Sequence, residues 1–200
     1  MKRSSLGTFS ILAISPKSRL MGVAVASGSP SVGDRVPHAR PGVGVIATQA
    51  YTNVTYGIKG LELMTRGLSP KEILKMLLAE DSDRELRQVA VMDFNGRKAA
   101  FTGAKAPKFY GETVAENYVV IGNLLAAKQV VSSMAREFDN SSGELAWRMA
   151  RALKAGSESG GDRRGEKSAA LIVVSTERVE VEIRIDKHAM PIGELFRMLS

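Results

Sequence analysis

Residues 8–14 (TFSILAI), 20–27 (LMGVAVAS) and 117–123 (NYVVIGN) are apolar at both parities of a β-strand. Successive strand side chains point to opposite faces, so such strands need cover on both sides of their sheet. This requirement excludes a sheet with one wet face and forces at least one further layer on each side. Residues 43–49 and 169–174 read as further buried strands. In contrast, 179–185 alternates, with Val179, Val181, Ile183 and Ile185 inward and Glu180, Glu182 and Arg184 outward, as a half-exposed or edge strand does.

Ser15-Pro16-Lys17-Ser18 is a turn joining the first two strands. Residues 28–42 are punctuated by Gly28, Pro30, Gly33, Pro37, Pro41 and Gly42 and read as irregular. A helix is predicted from Gly57 to Arg66. A second runs from Ser69 to about Glu80, opened by a Ser cap, Pro70 and the capping-box residue Glu72. Gln88–Asp93 and 98–102 form a hairpin around Asn95-Gly96, followed by a loop from Gly103 to Glu112. Ala127–Asp139 carries Val130, Val131, Met134 and Phe138 on one helical stripe. Ser141 with Glu144 predicts a second capping box and a helix closed by Gly156. A last short helix spans 194–199. Clustered strands separated by helix pairs point to sheets packed on each other with helices outside. The expected fold class is α+β, a four-layer αββα sandwich in preference to a three-layer α/β fold. No repeat or linker interrupts the chain, so a single domain over 1–200 is expected, with 1–7 as an N-terminal extension or propeptide.

No run of about 18 apolar residues is present, so no membrane helix is expected. The basic start lacks the long apolar region of a signal peptide, and a cytoplasmic location is the simplest expectation. With no cysteine, disulfides and thiolate chemistry are excluded. A net charge of +7 favours anionic ligands. No nucleic-acid motif accompanies it, so nucleic acid is not an expected partner. His38 and His188 have no metal-ligand spacing, and neither a metal nor a cofactor is expected.

Five places could carry chemistry. Thr8 follows Gly7 at the start of the first strand. Freed by cleavage of that bond, Thr8 would hold a hydroxyl nucleophile and an amine base on one residue. The amine's ordinary pKa of about 7.7–8.0 suits a base near neutrality. A β-branched residue opening a strand is the plain alternative. The loop 159–168 (SGGDRRGEKS) offers Asp162 as acceptor or base, and Arg163 and Arg164 to hold a carboxylate or phosphate; a solvated loop with a structural Asp–Arg pair reads equally well. Asp34 and His38, with Arg35 and Arg40, cluster in 28–42 and could line a pocket or be satisfied loop charges. Thr48, Gln49, Thr52 and Asn53 could bind an amide or hydroxylated ligand, or stabilise turns. Asn123, ending a buried strand, is a candidate oxyanion donor or a strand-ending residue. Gly42-Val43-Gly44-Val45 fits a loose dinucleotide pattern, but a strand follows it where a helix is required.

The stretches TFSILAI, MGVAVAS, VPHARPGVGVIATQAYTNVTYGIKGLELM, ELRQVAVMD, AAFTGA, VIGNLLA and GGDRRGEKSAALIVV together resemble domain-of-unknown-function family 1028, grouped with N-terminal-nucleophile (Ntn) hydrolase-like proteins. The resemblance implies the αββα sandwich and distant kinship to proteasome β-subunits and amidohydrolases; it leaves the reaction and substrate undefined. It places Thr8 where many members carry Thr directly after the initiator Met. Here seven residues precede Thr8, so cleavage of Gly7–Thr8 would be needed. The proteasome-type plan has a lysine near the nucleophile, whereas 28–42 has none. The expected function is hydrolysis of an amide bond in a small anionic substrate, with Thr8, Asn123 and Asp162 catalytic. Asp34, His38, Thr48, Gln49, Thr52, Asn53, Arg163 and Arg164 would bind substrate. The competing class is a non-catalytic ligand-binding or regulatory module on the same fold. A small anionic or amide-containing ligand and a homo-oligomer are the expected partners.

Overall fold

A computed structural model describes residues 7–200. Of the expected N-terminal extension, only Gly7 falls within the described residues. The elements are β1 (Thr8–Ser15), β2 (Leu20–Ser27), β3 (Pro37–Arg40), β4 (Gly44–Ala50), α1 (Thr55–Thr65), α2 (Pro70–Ala79), β5 (Arg87–Asp93), β6 (Lys98–Thr102), β7 (Gly111–Val114), β8 (Tyr118–Asn123), α3 (Val130–Asn140), α4 (Leu145–Glu158), β9 (Ser168–Val174), β10 (Val179–Ile185) and α5 (Pro191–Leu199). They build a six-stranded sheet in the order β10-β9-β2-β1-β8-β7 and a four-stranded sheet in the order β3-β4-β5-β6. Neighbouring strands pair antiparallel throughout the described residues. The two-sided apolar strands β1, β2, β8 and β9 are the inner strands of the larger sheet, and the alternating β10 lies at its edge.

Both faces of the six-stranded sheet are covered. On one face, Phe9, Ile11 and Ala13 of β1 pack in one core with Met134 and Phe138 of α3, Met149 and Leu153 of α4, and Ile192 and Leu195 of α5. On the other, Leu12 and Ile14 of β1 share a core with Val45, Ala47, Ala90 and Met92 of the smaller sheet. The smaller sheet's second face packs Ile46, Val89 and Val91 against Leu61 and Met64 of α1 and Ile73 and Leu77 of α2. No helix among the described residues is long and apolar enough to cross a membrane.

Local chemistry accounts for most boundaries. In α2 both halves of the capping box form: the Glu72 amide donates to Ser69 Oγ at 3.4 Å, and the Ser69 amide donates to Glu72 Oε2 at 2.8 Å. The Asn95-Gly96 turn is tied by Asp93, which accepts from the amides of Asn95 and Arg97, with Gly96 at φ 75°.

Five expectations are corrected. The segment 28–42 contains strand β3, hydrogen-bonded to β4, and the loop 103–112 leads into a further edge strand, β7. Both are four-residue edge strands, too short for a period to be read. The Ser141–Glu144 capping box does not form: Ser141 ends α3 and its hydroxyl donates to the Phe138 carbonyl, while α4 starts at Leu145 after Gly143 turns at φ 99°. Gly156 does not close α4, which continues to Glu158. It lies where the helix meets α3 and β1: a Cβ there would sit 2.7 Å from Met134 Cγ and 3.3 Å from Phe9 Cε2. Val179, expected inward, is exposed at the start of β10.

A side chain at residue 156 must push α3 away from α4. Gly156→Leu is expected to lower the unfolding free energy by about 1–3 kcal/mol, as overpacking of a filled core does, read from a urea denaturation midpoint at unchanged slope.

Candidate functional site

Polar residues of both sheets meet at one end of the layer between them. On β1, Thr8 and Ser10 share the parity of Leu12 and Ile14 and so face the smaller sheet. The register pairs Thr8 with Ser27 on one side and with Asn123 on the other. Gln49 of β4 and Gln88 of β5 pair with each other and face back. Thr8 is 1% exposed, and Ser10, Ser27, Gln49, Gln88 and Asn123 are fully buried.

Buried polar groups must find partners, and these find one another. Ser10 Oγ donates to Gln49 Oε1 at 2.6 Å. Gln49 Nε2 donates to the Thr8 carbonyl at 3.2 Å and to Gln88 Oε1 at 2.8 Å. Asn123 Nδ2 reaches the same Gln88 Oε1 at 3.1 Å and the Thr8 carbonyl at 3.5 Å. Gln88 Nε2 donates to the carbonyls of Gly122 and Gly111 and to Thr102 Oγ1. The two sheets are thereby bolted together beneath Thr8.

On the other side of Thr8 lies Gly7, whose carbonyl oxygen collects three donors. Thr8 Oγ1 approaches it at 2.5 Å, Ser27 Oγ at 2.6 Å and Arg164 Nη2 at 3.1 Å. Thr8 Oγ1 is 3.2 Å from Ser27 Oγ. Arg164 is held by Asp162 through Nε at 3.1 Å and Nη2 at 2.8 Å, and its Nη1 donates to Ser29 Oγ at 3.1 Å. The Asp162 side chain is fully buried, while that of Arg164 is 31% exposed. Asp162 also accepts from the amides of Gly28 at 2.7 Å and Arg164 at 2.9 Å. Glu166 secures the loop behind it, accepting from the Asp162 amide and from Ser157 Oγ.

Close approach of this carboxylate explains two glycines. A Cβ at Gly7 would sit 2.5 Å from Asp162 Oδ2, and one at Gly28 would sit 2.8 Å from Asp162 Cγ and from the Gly165 carbonyl. The residue before Thr8 is thus glycine because a buried, fully engaged carboxylate lies against it.

Of the residues singled out from sequence, Thr8, Gln49, Asn123, Asp162 and Arg164 come together here. The others lie apart. Thr48 Oγ1 donates to the Asn53 carbonyl, on the helix side of the smaller sheet. Asn53 Oδ1 accepts from the amide and hydroxyl of Thr55 at the start of α1. Thr52 Oγ1 is buried with no hydrogen-bond partner among the described residues. Asp34 is ion-paired with Arg184. Arg163 is exposed, and its amide donates to the Leu124 carbonyl.

His38 lies beneath Gly57 of α1, where a Cβ would fall 2.1 Å from its ring, and its Nε2 is 3.3 Å from the Arg35 carbonyl. Burial pushes its pKa below the ordinary 6.5, against the opposing pull of the Arg35 carbonyl.

Ser10, Ser27 and Gln88 are site residues that motif reading passed over. A signal for Ser27 was present: a hairpin closed through Ser15 and Leu20 brings Thr8 opposite Ser27. Ser10 and Gln88 stand out only as single polar residues within apolar strands. A mainly apolar cleft of about 580 Å³, lined by Ser157, Glu166, Met190, Ile192 and Phe196 among others, shares Glu166 with this loop but does not include Thr8.

Two antiparallel sheets with a threonine at the head of a central strand define an α+β protein with a buried hydroxyl-rich site. The chain belongs to the family of unknown function DUF1028, whose model matches residues 8–195 and so begins on Thr8. It is similar to protein SPO2555 from Silicibacter pomeroyi, a crystal structure of the same family, with 33% identity and a TM-score of 0.90 over 96% of this chain and 84% of that one. Anbu (ancestral beta-subunit) from Yersinia bercovieri aligns with 96% of this chain and 92% of its own at 12% identity and a TM-score of 0.45, and nothing is drawn from that likeness. None of the curated proteins compared matches the chain.

Replacing Gln88 by Leu takes one acceptor from each of the buried amides of Gln49 and Asn123, which keep the Thr8 carbonyl, and removes the donor to the Gly111 and Gly122 carbonyls. Gln88→Leu is expected to cost about 1–3 kcal/mol, more than Ser10→Ala, by urea denaturation. For His38, the folded pKa lies below the unfolded value. Between the two, the unfolded chain binds more protons, so stability rises with pH there and is lost as pH falls below about 6.5. His38→Asn is expected to reduce the stability difference between pH 7.5 and pH 5.5 seen with the natural chain.

Proposed function

We propose that this protein is an Ntn-hydrolase-like amidohydrolase whose nucleophile is Thr8, released by cleavage of its own Gly7–Thr8 bond. The carrying observation is the Gly7 carbonyl, which meets the Thr8 hydroxyl, the Ser27 hydroxyl and the Arg164 guanidinium around one oxygen. That oxygen would become negative if Thr8 Oγ1 added to the Gly7 carbon. Ser27 and Arg164, already aimed at it, stabilise such charge without reorganisation. The start of the family match at Thr8 and the close approach of Asp162 to Gly7 support the same reading.

In the cleavage step, Thr8 Oγ1 forms a bond to the Gly7 carbonyl carbon and the C–N bond to Thr8 breaks. The hydroxyl proton ends on the Thr8 nitrogen, which becomes an amine. Water then hydrolyses the Gly7 ester, giving a Gly7 carboxylate and restoring the hydroxyl. The free amine acts as base for the Thr8 hydroxyl in attack on a substrate amide; the departing amine takes the proton, and water releases the acyl group. Ser27 and Arg164 serve the oxyanion. Asn123, engaged with the Thr8 carbonyl and Gln88, positions the nucleophile together with Gln49. Asp162 orients Arg164.

The αββα layering belongs to this reading. Three cores stacked as α3–α5 on the larger sheet, sheet on sheet, and the smaller sheet on α1–α2 support a four-layer sandwich in a single domain.

Intact mass of the purified protein tests the proposal. A chain beginning at Thr8 is expected, with Thr8→Ala remaining uncut, Thr8→Ser cut, and Ser27→Ala cut on the order of 10²-fold more slowly. A natural chain that keeps its full mass after prolonged incubation leaves a binding module on this fold in place of a hydrolase.

A further inference from the structure

On the Thr8 reading, Gly7 is the acyl group that Thr8 takes up during processing. A substrate amide then meets the same nucleophile. Thr8 Oγ1 bonds to the substrate carbonyl carbon, the C–N bond breaks, the leaving amine takes the hydroxyl proton, and water frees the acid. The ester formed on the way is the Gly7 ester with another acyl chain in place of Gly7.

The acyl carbon of such an ester is planar, with three substituents. One is Thr8 Oγ1. The second is the carbonyl oxygen, for which Ser27 Oγ and Arg164 Nη2 stand at 2.6 Å and 3.1 Å in the uncut chain. With two substituents held, the third, the α-carbon, falls where the Gly7 α-carbon lies.

That α-carbon faces Asp162. An L side chain on it would begin 2.5 Å from Asp162 Oδ2 and 2.8 Å from Oδ1 and Cγ, where unbonded heavy atoms need about 3.5 Å. The end of an aspartate ordinarily swings aside, but this one is held. Oδ2 accepts from the Gly28 amide at 2.7 Å and from Arg164 Nη2 at 2.8 Å, and Oδ1 accepts from the Arg164 amide at 2.9 Å and from Arg164 Nε at 3.1 Å. The Gly28 backbone blocks retreat, since a Cβ there would already lie 2.8 Å from Asp162 Cγ. Moving the carboxylate strips a buried charge of its partners.

One substituent on the α-carbon is accommodated, because the Gly7 nitrogen lies there and carries the preceding chain. Cleavage releases residues 1–7 and empties this volume. Arg164, whose side chain is 31% exposed, borders it and connects it to solvent.

We infer that Asp162 determines the acyl specificity of the Thr8 site, and that its substrates are amides whose acyl α-carbon is an unbranched CH2, glycyl amides foremost. Acyl groups of the other L-amino acids are turned away by a clash, which is selection against the wrong ligand. This selection rests on the Thr8 reading for its nucleophile.

The test compares N-acetylglycyl and N-acetyl-L-alanyl p-nitroanilide as substrates of the full chain, its processing state first read by intact mass. The cut natural chain is expected to favour the glycyl compound at least about tenfold in kcat/KM, as one methyl forced into a filled, rigid space requires. Gly7→Ala is expected to be cut at least about tenfold more slowly than the natural chain, because residue 7 is the acyl group of processing. Asp162→Ala removes both the wall and the support of Arg164. Lost support lowers both rates alike, whereas the lost wall brings the glycyl-to-alanyl ratio toward unity. If Asp162→Ala fails to fold, Asp162→Ser, smaller but still polar, carries this arm. A cut chain that hydrolyses the alanyl compound equally well, or neither compound, overturns the selection and leaves the nucleophile. So does rapid cutting of Gly7→Ala, or a folded Asp162 variant that keeps the natural ratio. A natural chain that stays uncut removes the nucleophile, and the selection with it.

Discussion

A sheet that is apolar on both faces has to be covered on both, and at one end of the covered layer polar side chains are buried along with the apolar ones. Most of the seam between the sheets is filled by residues such as Leu12, Val23, Val45 and Met92. At its end stand Thr8, Ser10, Ser27, Gln49, Gln88 and Asn123, closed away from water. Such groups are tolerated only when they satisfy one another. Their mutual hydrogen bonds therefore set the relative placement of the two sheets at this end. The Thr8 carbonyl, accepting from Gln49 and Asn123, is drawn into that network. Chain packing and nucleophile placement are thus one problem with one solution.

The opposite side of Thr8 is governed by electrostatics. Asp162 is buried, and its charge is matched by Arg164 and by backbone amides of Gly28 and Arg164. Arg164 in turn reaches the Gly7 carbonyl and Ser29 Oγ. A single ion pair thereby links the 159–167 loop, the residue before Thr8 and the turn after β2, segments far apart in the chain. Glycines at 7 and 28 are needed because this carboxylate approaches both backbones too closely for a side chain.

A similar division of labour appears at the same end of the smaller sheet, on its helix-covered face. The Arg87 hydrogen bond holds the Asp81 carboxyl well below the usual carboxylate range, with Tyr56 as a further donor. This cluster fixes the 51–56 loop through Arg87's bond to the Tyr51 carbonyl. Thr48 and Asn53 belong to that face, which separates them from Thr8 although their chain neighbour Gln49 is part of the site. Strand alternation sends Thr48 and Gln49 to opposite faces.

The chain alone determined the helices, every strand but the short β3 and β7, and the need for cover on both sheet faces, because period and capping act over a few neighbouring residues. It also marked Thr8, Asp162 and Arg164, since a Gly-Thr strand start and an Asp-Arg-Arg loop are local patterns. It could not separate Gln49 from Thr48, or single out Ser10 and Gln88. Those distinctions depend on which face a strand turns to its partner. Such facts arise only when β2, β4, β5, β8 and the 159–167 loop converge on the head of β1.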